Sequence, residues 1–332
     1  MSSAQARAEL SDTSREVLRA AGVESWLLEA VEGLSRRDPE SLAGVLHAFG
    51  REVALKGTKA SCRCHFVVFD GNGRPRVDAL VGILAQQVLD YCIPRSRRAE
   101  AAKHFERTGS AEMFSALERE ARELFTSLET SGEGGELLLY LLLETVLGLP
   151  QLLCKMPLKT NSQMHVHGVD GVHAKLHDDG TLALYWGESK IYKDVNEGID
   201  ASFQSISPFL LDDGGGSVRR DLLLVRQHID PGNEEVKRAL GRYFDDTKPE
   251  SARVEYRGAC LIGFDLEDYP NLSNGQGESI SEQIAAKIAA WHERICSRID
   301  EQQLASFEIE VFCVPLPSVD EFRRRLREKL RV

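Results

Sequence analysis

Glu188 and Lys190 stand two residues apart in "LYWGESKIYKD", residues 184–194, where an apolar run ends. Residues two apart in a strand share one face, so a carboxylate and an ammonium lie side by side there. Asp170, in "HGVDGVH", stands just before a second apolar segment, and "HDDG" at 177–180 separates the two. Asp-Asp-Gly between alternating apolar runs signals a hairpin. With the turn at that point, position 170 falls opposite 187 or 188. Asp170 then reaches Glu188, and Lys190 extends the same charged face. Adjacent carboxylates repel one another unless a cation or a proton sits between them. Mg²⁺ takes hard oxygen ligands and keeps several waters. It makes a bound water nucleophilic and neutralises phosphate charge. An ammonium beside that water can orient it or stabilise charge on a pentavalent phosphate. The spacing suits a metal-dependent phosphodiesterase site. The plainer alternative is a strand-surface ion pair worth about 0–1 kcal/mol.

Other groups compete for a role. His165, His167, His173 and His177 suggest a second metal site, with zinc or manganese on imidazoles, but no Glu stands where "HExxH" would put a general base. Solvated strand histidines are the commoner case. Lys155 and Lys159 precede Asp170 and are placed to contact phosphates, or to stand as solvated loop charges. Cys62, Cys64 and His65 form a local trio, yet "SCRCHFVVF" alternates as a strand and no second ligand pair follows at zinc-finger spacing. Seven cysteines without framework spacing point to reduced thiols. "DDGGGS" lacks the lysine and the strand-loop-helix order of a P-loop.

The elements that must carry these groups change character along the chain. Residues 4–50 read as helices broken near Asp38-Pro39, followed by a strand at "CHFVVFD" and a turn at "GNGRPR". Three helices are expected over "VDALVGILAQQVLDYCI", "RRAEAAKHFERTG" and "SAEMFSALEREARELFTSL". "TSGEGGE", 130–136, is a flexible junction into "LLLYLLLETVLGL", a helix apolar nearly all round and therefore buried, with Glu136 and Glu144 as its polar exceptions. Beyond the hairpin, "VNEGIDASFQSISPFLL" reads as helix, "DLLLVRQHI" as strand and "GNEEVKRALGRYF" as helix. "RVEYRGACLIGFDL" is a strand, "ESISEQIAAKIAAWHERICSRI" a long helix and "SFEIEVFCVPLP" a last strand. A final amphipathic helix, "VDEFRRRLREKL", has its stripe at Phe322, Leu326 and Leu330. The fold expected is α/β, with a mainly helical region over 1–130 and a mixed-sheet core flanked by helices over 131–332.

The 332 residues are 42% hydrophobic and 28% charged, the balance of a globular protein. No run reaches the roughly 18 apolar residues of a membrane helix. The polar N-terminus has no apolar signal core, which points to a cytoplasmic protein. The formal net charge is −11, from 52 acidic and 41 basic residues. That balance weighs against a free-standing nucleic-acid binder. It leaves room for a nuclease that binds DNA poorly alone and relies on a partner for delivery.

Asp170, followed after seventeen residues by Glu188-Ser189-Lys190, resembles the PD-(D/E)xK nuclease core. The wider stretch "GEGGELLLYLLLETVLGLPQLLCKMPLKTNSQMHVHGVDGVHAKL", followed by "LYWGESK", is similar to the HamA family, the nuclease subunits of Hachiman anti-phage defence. The resemblance is strongest over 130–210. It implies Asp170 and Glu188 as metal ligands, Lys190 as the catalytic lysine, and a helix glutamate to complete the site: Glu136, with Glu133 and Glu144 as rivals. It also implies Mg²⁺ (with Mn²⁺ as a substitute), a role for Gln204 in placing DNA or water, and a helicase partner, HamB, that restrains the nuclease until phage DNA processing releases it. Gly168 and Val169 stand where the general pattern has a proline before the aspartate. The alternative to a nuclease is a non-catalytic subunit that binds DNA or the helicase.

Overall fold

The computed structural model describes residues 25–35, 38, 40–125, 132–158, 169–211, 217–267, 269 and 277–330. Two short helices, α1 (Ser25–Glu32) and α2 (Glu40–Ala43), precede the antiparallel pair β1 (Leu46–Ala54) and β2 (Ser61–Val67). Helices α3 (Val77–Gln86), α4 (Val88–Cys92), α5 (Arg95–Thr108) and α6 (Glu112–Glu123) follow. Next, α7 (Glu133–Leu142) runs into a π-helical turn, Leu143–Leu147, which ends at Gly148 in the left-handed region, φ +65°. The hairpin β3 (Gly171–Leu176) and β4 (Leu182–Tyr192) leads to α8 (Val195–Leu211), α9 (Ser217–His228) and α10 (Glu234–Tyr243). Strand β5 (Val254–Asp265), helix α11 (Gly277–Glu301), strand β6 (Ile309–Leu316) and helix α12 (Val319–Leu330) complete the described chain.

The strands form one six-stranded mixed sheet in the order β1-β2-β6-β5-β4-β3. Its inner pairs β2-β6, β6-β5 and β5-β4 are parallel, and the two outer pairs are antiparallel. The architecture is α/β, as the alternation of apolar segments requires. Parallel strands are covered on both faces, and β4 is accordingly buried without a break over 182–189. On one face Leu184 and Trp186 join Phe203 and Ile206 of α8 and Ile295 of α11. On the other, Ala183 and Tyr185 meet the leucines of α7 and Phe322 of α12. A fully buried side chain such as Phe203 contributes about 1.5–3 kcal/mol by leaving water.

Two segments depart from the expected secondary structure. The helical reading of the segment up to residue 50 and beyond fails over Leu46–Ala54, which is strand β1. Gly50 sits at φ +73° beside the irregularity between Phe49 and Val53, a conformation that halts a helix and suits a bulge. "DLLLVRQHI" lies in helix α9 instead of a strand. Asp221 and Val225, four apart, are buried while Leu223 is exposed, a helical period hidden in a short apolar run. Strands β1 and β2 also come from before residue 130 yet lie in the same sheet as the later strands. The composition shift near 130 is therefore not an edge of the sheet. The helices expected over 4–24 lie outside the described residues. Among the described residues, no helix is long and apolar enough to cross a membrane.

Candidate active site

The hairpin turns where Asp-Asp-Gly stands. Gly180 takes φ +82°, and His177 N donates to Thr181 O at 2.9 Å. The register that follows pairs Gly171 with Gly187, and Asp170 N donates to Gly187 O at 2.8 Å. Asp170 therefore stands opposite Glu188, one residue before β3 begins. There the edge of β4 would be left with an unpaired donor at Ser189. Asp170 supplies the acceptor with its side chain: Ser189 N and Ser189 Oγ both donate to its Oδ2, each at 2.8 Å. Two hydrogen bonds thus fix this carboxylate through its Oδ2.

Glu188 and Lys190 project to one face of β4, as residues two apart must. Lys190 Nζ donates to Glu188 Oε1. The Glu188 side chain is buried, next to Cys260 in the register of β5. Burial foremost, and then the charge of Asp170, push the Glu188 carboxyl up to about 7, although Lys190 and Lys155 pull it down. Burial works against the Lys190 ammonium, but Glu188 and then Asp170 overcome it and hold the group above its ordinary value. The Cys260 thiol is raised by burial and then by Glu188. A buried carboxylate beside a second carboxylate is an electrostatic deficit that a cation relieves.

Glu136 reaches this end of the sheet from the first turn of α7. It is half-buried, and its Oε2 accepts from Tyr91 Oη at 3.0 Å. The buried Tyr91 phenol is pushed upward first by burial, then by Glu136, with a lesser electrostatic contribution from Asp170. Close approach of α7 depends on Gly135. A Cβ there would lie 3.1 Å from both Ser189 Oγ and Ile191 Cγ1. Of the rivals, Glu144 is held elsewhere, with Gln151 N donating to its Oε1 at 2.8 Å and Arg95 Nη2 at 3.4 Å. Glu133 is buried at the start of α7.

The remaining expected residues fare differently. Lys155 is half-buried and within electrostatic reach of Glu188, whereas Lys159 lies outside the described residues. Gln204 is on the exposed side of α8, turned away from the face that buries Ser202 and Phe203. His173 is buried and its Nδ1 donates to Leu149 O at 2.8 Å; burial drives it down to about 4, so it is a neutral core histidine. His177 sits in the turn beyond β3, half-buried and lowered by burial, and His165 and His167 lie outside the described residues. No histidine cluster forms among the described residues. Sequence reasoning missed Ser189 and Tyr91. Ser189 was visible as the residue between Glu188 and Lys190; Tyr91 left no signal, because only packing brings α4 to α7.

The donor set suits Mg²⁺. Asp170 and Glu188 offer hard carboxylate oxygens, and Mg²⁺ is commonly held by one or two carboxylates with waters completing its shell. Glu136, tied to Tyr91, does not close with them into a compact three-ligand cluster among the described residues. In comparisons with known proteins, the family model described as HamA matches residues 48–330. No curated protein matches the chain.

Proposed function

Because the chain belongs to the HamA family, and so to the Hachiman anti-phage defence system, we propose that it is the system's Mg²⁺-dependent DNA nuclease, acting with a helicase partner in the cytoplasm. The observation that carries this reading is the buried Glu188 carboxylate beside Asp170, with Lys190 on the same strand face. Asp170 and Glu188 would hold the ion, which when bound neutralises phosphate charge and acidifies a water. Lys190, kept protonated by its carboxylate neighbours, orients the attacking water and stabilises charge growing on the phosphate. Ser189 keeps Asp170 aimed, and the Tyr91 hydroxyl keeps Glu136 at the edge of the site. Lys155, within electrostatic reach of Glu188, would meet a DNA phosphate. The net charge of −11 supports delivery of DNA by the partner rather than capture by this chain alone.

One observation favours a second reading. Glu188 is already paired with Lys190, and Asp170 with Ser189, so these groups could serve only to shape a binding subunit. Plasmid degradation separates the two. The chain, with its helicase partner and ATP where needed, is expected to degrade DNA when Mg²⁺ is present and to lose this activity in Asp170→Asn. Intact DNA in every lane, partner included, would favour the binding subunit. Ser189→Ala is expected to raise the Mg²⁺ concentration needed for half-maximal cleavage about 10–100-fold, as loss of a group orienting a metal ligand commonly does. An unchanged Mg²⁺ profile would count against Asp170 as a ligand.

A further inference from the structure

Away from the carboxylates, three thiols meet inside the sheet's other half. Cys62 and Cys64 on β2 and Cys313 on β6 are all buried, and their sulfurs lie within 4.8 Å of one another. The Cys62 and Cys313 sulfurs are 3.8 Å apart, between residues 251 apart in the chain. Cys62 and Cys64, two apart in a strand, share a face by necessity. His65 falls on the opposite face, against Phe312, so the local trio visible in the sequence does not assemble.

A nearby imidazole lies on α11, outside the compact group that the three sulfurs form. Its apolar stripe runs through Ile284, Ile288, Ile295 and Ile299, all packed on the thiol face of the sheet. His292 falls on that stripe, four residues after Ile288 and three before Ile295, as its polar exception. The His292 Nε2 is buried and has no hydrogen-bond partner among the described residues. Hydrogen bonds with Cys313 and Cys62 foremost, with a further contribution from His292, draw the Cys64 thiol below its ordinary range, so the ring is within reach of this sulfur. Buried free cysteines are often only small core residues. Three converging sulfurs with an unsatisfied buried imidazole nitrogen require more than that, because an unpaired buried polar group is costly.

We infer that Cys62, Cys64, Cys313 and His292 form a closed structural zinc site that clamps β2, β6 and α11 together. Tetrahedral Zn²⁺ with Zn–S bonds of about 2.3 Å separates its sulfurs by about 3.8 Å, the spacing of the Cys62–Cys313 pair. Four protein ligands leave no open position, so the site is structural and independent of the carboxylate centre. Binding Zn²⁺ to the thiols releases protons and forms Zn–S bonds, with no change in oxidation state.

The test is elemental analysis of the full chain, purified under reducing conditions without a metal-chelate column. About one zinc per chain is expected to survive dialysis. Replacement by Co²⁺ should produce thiolate-to-metal charge-transfer absorption and intense visible bands of a tetrahedral ion. Cys313→Ser and Cys64→Ser should lose the zinc, and Cys154→Ser, outside the cluster, should keep it. His292→Ala, on a half-exposed residue, should keep the charge-transfer absorption but shift the visible bands and yield its metal to weaker chelators. Wild-type chain without bound zinc and without cobalt bands overturns the inference, whatever the variants do. So does a Cys62–Cys313 disulfide in the freshly purified chain, or a His292→Ala spectrum identical to wild type. Because EDTA would act on both metal sites, nuclease assays should omit Mg²⁺ rather than add chelator.

Discussion

Lys190→Met is expected to reduce Mg²⁺-dependent DNA cleavage by about 10²–10³-fold, the usual consequence of deleting a group that stabilises transition-state charge. Methionine keeps much of the aliphatic stem that packs on β4 but removes the ammonium that donates to Glu188. The DNA concentration needed for half-saturation should change little, because the loss falls on the chemical step. Single-turnover cleavage at saturating Mg²⁺ measures this directly. A variant that cleaves at the wild-type rate would remove Lys190 from the mechanism and leave the ion pair as a packing device.

The second large effect is on stability, in the absence of divalent ions. Glu188 is raised from an ordinary carboxyl near 4.5 to about 7, mainly by burial and then by Asp170. A folded-state value above the unfolded one means that the folded chain holds this proton more tightly. Its contribution to stability is therefore complete below about pH 4.5 and is lost as pH rises through 7. The difference amounts to roughly 3 kcal/mol. Glu188→Gln, which imitates the protonated acid, should abolish this loss and be the more stable chain by that order at pH 8, with the two converging near pH 5. Urea unfolding at the two values, with no Mg²⁺ added, reads the difference. A variant less stable than wild type at pH 8 would mean that Lys190 compensates the buried charge fully. The same deficit would favour metal binding: below pH 7, where the proton must leave first, Mg²⁺ affinity should rise about tenfold per pH unit.

A charged site at a strand end was legible because its parts are local. The hairpin turn at 177–180 sets the register, and the two-residue spacing sets the face, so Asp170, Glu188 and Lys190 could be placed from short-range geometry alone. The buried character of α7 was likewise written in its unbroken leucines. Where signals were local but ambiguous, reading failed. A short run of leucines in α9 suits a strand or a helix equally, and β1 becomes a strand through pairing with β2.

What tertiary structure decided is what distant segments do when they meet. Folding gave the two helix glutamates different partners: Arg95 and the Gln151 amide hold Glu144, while Tyr91 meets Glu136. It recruited Ser189 to hold Asp170, which depends on β3 stopping one residue short of Glu188. It also gathered Cys62, Cys64 and Cys313 and packed the helix that carries His292 on the same face, although more than two hundred residues separate the two strands that carry the thiols. The chain's own sequence determined the local chemistry: which faces are charged, where the hairpin turns, which helix must be buried. Partners across the sheet are selected by burial and by the demand that every buried polar group find a mate, and that demand can be met only once the layers have closed.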